Sequence, residues 1–385
     1  MGGNSKLISM AATARAIAYV DAGAVERNCA LLKERLGGAE LCAVVKADGY
    51  GHGATRCAAA AVAGGATWLA VATAAEAAEL RRDGIGERLL VMGALTHADL
   101  ELALEADADV VAWRDGFARA AAALASAGRP ARLHVKLDTG MGRLGTTDPR
   151  EALSVAALAE SADALEVAGL MTHFATADET DSTFLEQQLD RFRPVVEQFR
   201  RLYPGRVVHA ANSAATLGSH REAHFDMARC GVAIYGMDPA GVDPAPIGLE
   251  PAMTLRSYVA DVKQVRPGDS VGYGRTWTAS EATNVAVLPI GYGDGYRRGL
   301  SNVAELLIRG RRRPLVGTVS MDNITVDVGA DTDVRGGDEA TLIGAQGGQR
   351  ITTEELARHL GTINYEVTCG ISPRVPRVTG AGASP

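Results

Sequence analysis

Eight short apolar segments, separated by alanine- and leucine-rich stretches, recur along the chain between residues 41 and 230. In order, they are residues 41–45, 67–72, 89–92, 110–113, 133–137, 167–171, 207–210 and 225–230. Most are nearly continuous apolar runs, which is typical of parallel strands covered on both faces, and the stretches between them, such as 54–63 and 183–202, are typical of helices. Eight β units with intervening helices predict a closed (β/α)₈ barrel of the TIM type, an α/β fold.

The pattern changes after about residue 249. Short strand-like segments at 285–290, 306–308, 324–328 and 340–343 alternate with turns, which predicts a mostly β C-terminal domain. A capping box at Thr352 and Glu355 predicts one late helix, and the arginine-rich stretch 309–313 is interpreted as a solvated hairpin turn. We expect three regions: a ragged N-terminus over 1–15, a cofactor-binding barrel over 16–248, and a β domain over 249–385 with which a first strand at about 16–21 packs.

Composition excludes several classes of function. The net charge is -7 and the basic residues are scattered, so nucleic acid is not an expected partner. No apolar run is long enough to cross a bilayer, and the weak resemblance of residues 6–14 to a signal peptide is interrupted by Ser9 and Thr13. Five widely spaced cysteines predict reduced thiols rather than disulfides or a zinc site, so a cytoplasmic protein without a metal is expected.

Polar side chains follow the predicted barrel strands, where active sites of such barrels lie. Lys46 ends the first strand behind Val44 and Val45 and opens a glycine-rich turn that carries Tyr50 and His52; partial desolvation favours the neutral amine that Schiff-base chemistry needs. The other strand-end candidates are Lys136, Asp138 and Arg143 after the fifth strand, Thr172 and His173 after the sixth, Asn212 and Ser213 after the seventh, and Arg229 on the eighth. Their convergence predicts a catalytic site.

The segment 140–145 is a literal G-x-G-x-x-G, which is also a dinucleotide-binding pattern. It occurs in the middle of the chain, and its strand ends in Lys136 and Asp138 rather than in apolar residues. We favour the interpretation that its glycines let the loop approach a ligand and place Arg143 in the pocket.

A phosphate site is predicted at the eighth unit, where Gly231 follows the strand-end Arg229 and Ser213 follows the seventh strand. Barrels often bind phosphate at this position. A reactive lysine opposite a phosphate site implies a phosphorylated carbonyl cofactor, of which pyridoxal phosphate is the common example.

The chain from about Ala16 to Val378 resembles the alanine racemase family of fold-type III pyridoxal-phosphate enzymes. The resemblance depends on segments that occur in the family's order: 43–53, 136–145, 172–175, 211–213, 229–231, 272–275, 291–296, 320–322 and 363–366. It implies interconversion of L- and D-alanine, which supplies D-alanine for peptidoglycan, by a homodimer with shared active sites.

The resemblance also implies roles for single residues. Lys46 forms the Schiff base and serves as the base on one face of the substrate, while Tyr273 of the opposing subunit serves the other face. The residues expected at the cofactor are Lys46, Tyr50, His173, Asn212, Ser213, Arg229, Gly231, Val232 and Tyr365. Those expected at the substrate are Arg143, the backbone of Met321, and Tyr292 at the entrance. Lys136 matches a lysine that is carbamylated in many members.

Two departures from the family pattern are Ser320, where cysteine is common, and Asp48-Gly49 after the lysine. They affect the expected substrate preference rather than the reaction. Alternatives from the same fold type are a broader racemase acting on serine or basic amino acids, and a decarboxylase, which would not need Tyr273. A non-catalytic pyridoxal-phosphate carrier would resemble the barrel alone.

Overall fold

The computed structural model describes residues 14–125, 128–218, 220–330 and 332–380. The chain divides into two compact units. One is Val25–Ile234, and the other comprises the described residues of Met1–Ala24 and Tyr235–Pro385. None of the helices in the described ranges has the length and apolar content of a membrane span.

The first unit is a closed barrel of eight parallel strands, which confirms the predicted fold. The barrel strands are β2 (Glu40–Val44), β3 (Trp68–Val71), β4 (Arg88–Val91), β5 (Asp109–Ala112), β6 (Ala131–Lys136), β7 (Leu165–Met171), β8 (Val207–His209) and β9 (Met227–Cys230). Strand β9 closes the barrel by pairing in parallel with β2. Each of the eight apolar segments contributes one strand, because residues that face either the barrel interior or the surrounding helices are buried on both sides of the sheet.

Helices alternate with these strands. They are Ala22–Leu36, Ala54–Ala63, Ala74–Arg82, His97–Glu105, Asp115–Leu124, Pro149–Ser161, Thr183–Leu202 and Ser213–Leu217. Several begin at capping residues: Thr73 and Thr96 each form a complete capping box, and Asp148 accepts from the backbone of Arg150. These caps satisfy N–H groups that the first helical turn leaves without partners, so each helix has a defined start beside its strand.

The second unit is mostly β. Its strands are β1 (Ala16–Val20), β10 (Met253–Tyr258), β11 (Asp261–Val265), β12 (Ser270–Val271), β13 (Trp277–Thr278), β14 (Thr283–Leu288), β15 (Glu305–Ile308), β16 (Arg311–Pro314), β17 (Ile324–Asp327), β18 (Glu339–Gln346), β19 (Gln349–Ile351) and β20 (Arg377–Thr379). The largest sheet has the order β16-β15-β18-β10-β1-β20, with β19 beside β18; β11-β14-β17 and β12-β13 form two smaller sheets. Strand β1 therefore lies between β10 and β20.

One local expectation in this unit is confirmed in part and another in full. Arg309 and Gly310 form the two-residue turn between β15 and β16, and both have positive φ, as a type I′ turn requires, but residues 311–313 of the arginine-rich stretch belong to strand β16. The helix Thr353–Leu360 begins after Thr352, whose hydroxyl accepts from the Glu355 N–H at 3.1 Å.

Candidate active site

Lys46 follows β2 and begins a turn of left-handed backbone. The next four residues, 47–50, all have φ between 52° and 61°. The Gly49 N–H closes the turn on the Val45 carbonyl at 2.9 Å, and the Glu76 carboxylate accepts the Ala47 N–H at 2.7 Å. Non-glycine residues avoid this conformation at a cost of about 1–2 kcal/mol each, so the surrounding contacts hold a strained segment beside the lysine. The turn brings the Lys46 ammonium to 5.9 Å from the centre of the Tyr50 ring.

Hydroxyl and backbone N–H groups gather where β8 and β9 end. The Ser213 hydroxyl accepts the Gly231 N–H at 3.0 Å and the Ala233 N–H at 3.4 Å. The Tyr50 hydroxyl reaches the same point, since a Cβ built on Gly231 would lie only 2.3 Å from its oxygen. Tyr50, Ser213 and Gly231, together with the next residue Val232, form a small polar cradle.

Asn212 contributes to this region through the start of a helix. Its side-chain oxygen accepts the Ala215 N–H at 3.0 Å and so caps the helix Ser213–Leu217. The structure therefore gives the Asn212 side chain a capping role that orients the segment carrying Ser213.

The glycine-rich loop after β6 folds around one carboxylate. Asp138 accepts the backbone N–H groups of Gly140 at 2.9 Å, Met141 at 2.8 Å and Arg143 at 3.2 Å. Partial burial raises the pKa of Asp138, but these hydrogen bonds outweigh it and hold the pKa below its usual range. Because the carboxylate occupies these N–H groups, they do not offer the pyrophosphate site that the dinucleotide interpretation requires.

Lys136, at the end of β6, is 5% exposed. Burial lowers its pKa to about 8, and the nearby guanidinium groups of Arg229 and Arg143 act in the same direction. Lys136 therefore has a larger neutral fraction near neutral pH than an ordinary lysine, and the neutral amine is the form that reacts as a nucleophile.

Arg229 lies on β9, and its hydrogen-bond acceptors among the described residues are uncharged. Its Nη2 donates to the Thr172 carbonyl at 2.8 Å, to the Ala210 carbonyl at 3.1 Å and to His173 Nδ1 at 3.0 Å. Its Nη1 donates to His209 Nδ1 at 2.8 Å. Burial lowers the pKa of Arg229 to about 10, so the guanidinium stays charged at neutral pH.

His173 joins the groups after β6, β7 and β9. Its pKa is held well below the usual value by burial first, and then by the positive charges of Arg229, Lys136, Arg143 and Lys46. His173 is therefore a neutral imidazole, and because Nδ1 accepts from Arg229, its proton lies on Nε2. The barrel unit thus brings together the predicted lysines, arginines and histidine.

Three buried residues of this constellation were missed from the sequence. His209 on β8 contacts His134 on β6 (Nε2 to Nδ1, 2.8 Å), and His134 Nε2 contacts the Asp109 carboxylate at 3.0 Å. Arg88 at 3.0 Å and Arg132 also pair with that carboxylate. The sequence signal that could have revealed them is a polar residue inside an apolar strand. In the structure, His134, Asp109 and His209 are fully buried.

Tyr273, predicted as the second base, lies in the second unit. It stands in the loop between the paired strands β12 and β13, and its side chain is 74% exposed. The Thr318 hydroxyl donates to the Tyr273 carbonyl at 2.8 Å, which fixes the backbone of the loop. The tyrosine is therefore presented outward from an anchored hairpin.

The predicted entrance and carboxylate-binding residues lie on two joined loops of the same unit. Tyr292 N–H donates to the Ser320 carbonyl at 3.0 Å, and Gly293 N–H donates to the Met321 carbonyl at 2.9 Å. Both Tyr292 and Met321 are exposed. Tyr365 is half-buried on the helix Asn364–Cys369.

An ion-pair cluster fixes the same two loops. Arg374 pairs with Asp294 at 3.3 Å and with Asp322 at 2.6 Å, and Arg15 pairs with Asp322 at 3.3 Å. The Asp294 carboxylate also accepts the Gly291 N–H at 2.9 Å. These contacts set the relative position of Tyr292 and Met321.

Comparison with known proteins places this arrangement in context. Residues 20–239 match the model for the alanine racemase N-terminal domain, and residues 252–379 match that for the C-terminal domain. The chain is 44% identical to an alanine racemase of Symbiobacterium thermophilum over 94% of this chain and 96% of that protein.

Solved structures agree with the sequence comparison. The alanine racemase of Streptomyces coelicolor superposes with a TM-score of 0.89 at 40% identity, covering 96% of this chain and 99% of that one. The alanine racemase of E. faecalis gives a TM-score of 0.89 at 36% identity, covering 95% and 98%.

Proposed function

The chain belongs to the alanine racemase family, and from this premise we propose that it interconverts L- and D-alanine with pyridoxal phosphate by a two-base mechanism. The observation that carries the proposal is the convergence of Lys46, Tyr50, Ser213 and Gly231 at the ends of three barrel strands. D-Alanine made in this way would supply the synthesis of peptidoglycan.

The residues present fit the cofactor's phosphate. The close approach of Tyr50 to Gly231, whose N–H donates to the Ser213 hydroxyl oxygen, brings the hydroxyls of Tyr50 and Ser213 together in one cradle. Such donors suit a dianionic group better than any uncharged ligand. Val232 would add its N–H and Tyr365 its hydroxyl. Asn212 would contribute by capping the helix Ser213–Leu217, which carries Ser213. When bound, pyridoxal phosphate supplies the electron sink that acidifies the Cα–H bond of an amino acid.

Lys46 is 5.9 Å from the centre of the Tyr50 ring and so lies beside the cradle, in reach of a carbonyl carbon attached to a phosphate held there. Arg229 would meet the ring nitrogen of the cofactor. Its hydrogen bonds to His209, His173 and two carbonyls use Nη1 and Nη2, and we assign Nε–H as the donor to the ligand. An arginine does not give up its proton, so Arg229 would keep that nitrogen unprotonated and the electron sink modest, which would favour return of a proton to Cα.

Inversion of a stereocentre needs a proton acceptor on one face and a donor on the other. We assign Lys46 to one face and Tyr273 to the other. The exposure of Tyr273 on an anchored hairpin suits a residue that completes the site of a second subunit, which makes a homodimer the expected active form. His173, a neutral imidazole with its proton on Nε2, would orient the tyrosine hydroxyl by hydrogen bonding.

Substrate binding is assigned to Arg143 and the Met321 backbone, which would receive the carboxylate, and to Tyr292, which would narrow the entrance to the size of alanine. Lys136 is the candidate for carbamylation, because its pKa of about 8 leaves a neutral amine that attacks carbon dioxide. The resulting carbamate would place an anion beside Arg143 and hold its guanidinium in position.

The test uses the low lysine content of the chain, which has five: Lys6, Lys33, Lys46, Lys136 and Lys263. The purified protein should show visible absorbance, and borohydride should fix the cofactor on the peptide that contains Lys46. Lys33→Ala should keep this adduct, while Lys46→Ala should lose it. An adduct on Lys136 or Lys263 would contradict the assignment. Assays with alanine, serine, lysine and arginine then separate an alanine racemase from a broader racemase or a decarboxylase.

A further inference from the structure

A continuous series of hydrogen bonds, which we call the relay, crosses the interior of the barrel beneath Arg229. It runs from Arg229 Nη1 to His209 (2.8 Å), from His209 to His134 (2.8 Å), and from His134 to Asp109 (3.0 Å). Arg229 lies near the end of β9, whereas Asp109 is the first residue of β5. The relay therefore connects the carboxyl-terminal face of the barrel, where the candidate site lies, with the opposite face.

The direction of every hydrogen bond in the relay is determined by Arg229, its first member. Arginine only donates, so His209 Nδ1 must accept and the His209 proton must lie on Nε2. That proton is donated to His134 Nδ1, which places the His134 proton on Nε2, where Asp109 accepts it. Both histidines are thus neutral Nε2–H tautomers, and the pKa of His209 is accordingly held well below its usual value by burial and by Arg229.

Asp109 is the first carboxylate reached from Arg229 along the relay. Burial alone raises its pKa, but the hydrogen bond from His134 and the charges of Arg88 and Arg132 hold the pKa down to about 2, so Asp109 is ionised. A carboxylate in direct contact with Arg229 would cancel the positive charge that faces a ligand. Two neutral imidazoles between the charges give Arg229 an anchored orientation and leave its charge uncancelled.

Packing alone does not explain these residues. The interior of such barrels is usually filled by branched apolar side chains, and buried polar networks are often no more stable than apolar replacements of the same volume. Here His134 packs edge-to-face against both Trp68 and His209, with ring centres 5.5 Å and 4.9 Å away. The aromatic contacts hold the imidazole plane in the orientation that the relay requires.

We propose that Asp109, acting through His134 and His209, is a positioning residue for Arg229 and hence for the reaction at the opposite face of the barrel. This inference rests on the proposed function, since it assigns the relay to the arginine that would meet the cofactor. The matched control is Asp107, which also pairs with Arg132 (2.9 Å) but is exposed and lies outside the relay.

The first experiment is ¹H–¹⁵N correlation of the imidazole rings in histidine-labelled protein, with His134→Gln used for assignment. His134 and His209 should each show a protonated Nε2 and an unprotonated Nδ1. A proton on Nδ1 of either ring would overturn the relay, whether or not the protein racemises alanine. This readout needs no variant of Asp109 and is therefore decisive even if Asp109→Asn does not fold.

The second experiment compares Asp109→Asn with Asp107→Asn in the holoenzyme. Asp109→Asn should lower kcat about tenfold with KM for alanine within twofold, and should shift the Nε2 resonance of His134, while Asp107→Asn changes neither. An unchanged kcat in Asp109→Asn, or an equal loss in Asp107→Asn, would exclude the positioning role. The borohydride adduct on Lys46 would then show that the proposed function survives without it.

Discussion

The Tyr50 hydroxyl stands so close to Gly231 that a Cβ built on the glycine would lie 2.3 Å from the phenolic oxygen. The φ of Gly231 lies outside the left-handed region, so the backbone itself would accept an alanine. The glycine is therefore required for space rather than for conformation. The two residues together define one wall of the proposed phosphate cradle.

We predict that Gly231→Ala displaces the Tyr50 hydroxyl and weakens binding of pyridoxal phosphate at least tenfold. Affinity can be measured by titrating the cofactor-free protein and following absorbance. Gly116→Ala is the matched control, because a Cβ at Gly116 meets no atom within 4 Å. Equal affinities in the two variants would mean that Tyr50 and Gly231 do not contact the phosphate.

The strained turn after Lys46 gives a second prediction. Ala47 is exposed and has φ 52°, so a substitution there changes backbone preference without changing core packing. A β-branched residue tolerates this conformation poorly, whereas glycine adopts it readily. Ala47→Val should lower the melting temperature by about 2–4 °C, the effect of about 1 kcal/mol in a unit of this size, and Ala47→Gly should not lower it.

Calorimetry of both Ala47 variants with and without cofactor checks this expectation. The valine variant should also bind the cofactor more weakly, because the turn sets the distance between Lys46 and Tyr50. The same melting temperature in the valine and glycine variants would show that the left-handed turn is not under strain. Gly49, one of the departures from the family pattern, has φ 61° and suits the same turn.

Much of the barrel was predictable because each of its strands is buried on both sides and therefore nearly continuous in apolar residues. The strand-end rule also placed Lys46, Lys136 and Arg229 at one face. The relay was not predictable in this way. His134 lies two residues before Lys136 within an apolar strand, and a single buried histidine has the same local pattern whether it packs or transmits a hydrogen bond. Only the three-dimensional neighbours, His209 and Asp109, distinguish the two.

The left-handed turn after Lys46 also could not be predicted from the sequence. Glycines in residues 49–53 indicate a tight turn, but Ala47 and Asp48 have no intrinsic preference strong enough to indicate positive φ. The hydrogen bonds that the Glu76 carboxylate and the Val45 carbonyl accept impose that conformation, and Glu76 is 30 residues distant from Lys46 in the sequence.

Lys136 should make stability depend on pH. Its pKa is about 8 in the folded protein and about 10.5 in the unfolded chain, so folding disfavours its charged form. Below pH 8 both the folded and the unfolded states bind the proton, and burial of the charged lysine lowers the free energy of unfolding by the full penalty of about 3 kcal/mol. Between pH 8 and 10.5 the unfolded state binds more protons than the folded state, so the stability contributed by this group rises with pH and the penalty is gone above 10.5.

We therefore predict that Lys136→Met is more stable than the parent protein at pH 7, and that the difference shrinks as pH rises toward 10.5. Thermal unfolding in bicarbonate-free buffer measures it, since carbamylation would change the charge. Lys263→Met, at an exposed position of the β unit, should show no such trend. A difference between Lys136→Met and parent that stays constant with pH would contradict the lowered pKa.

The last prediction concerns Lys46 and Tyr273 together. If they serve opposite faces of the substrate, Tyr273→Phe should keep cofactor binding but lose racemisation in both directions by at least a hundredfold, because each direction uses one group as base and the other as acid. If Tyr273 also completes the site of a second subunit, mixing inactive Lys46→Ala with inactive Tyr273→Phe chains should restore activity. In the mixed dimer one site carries both defects and the other carries neither, so up to a quarter of the parent activity is expected at equal mixing, since about half of the dimers are mixed and each has one intact site. Mass spectrometry must confirm the mixed dimers. Mixed dimers without recovered activity would leave Tyr273 acting within its own chain or outside the reaction.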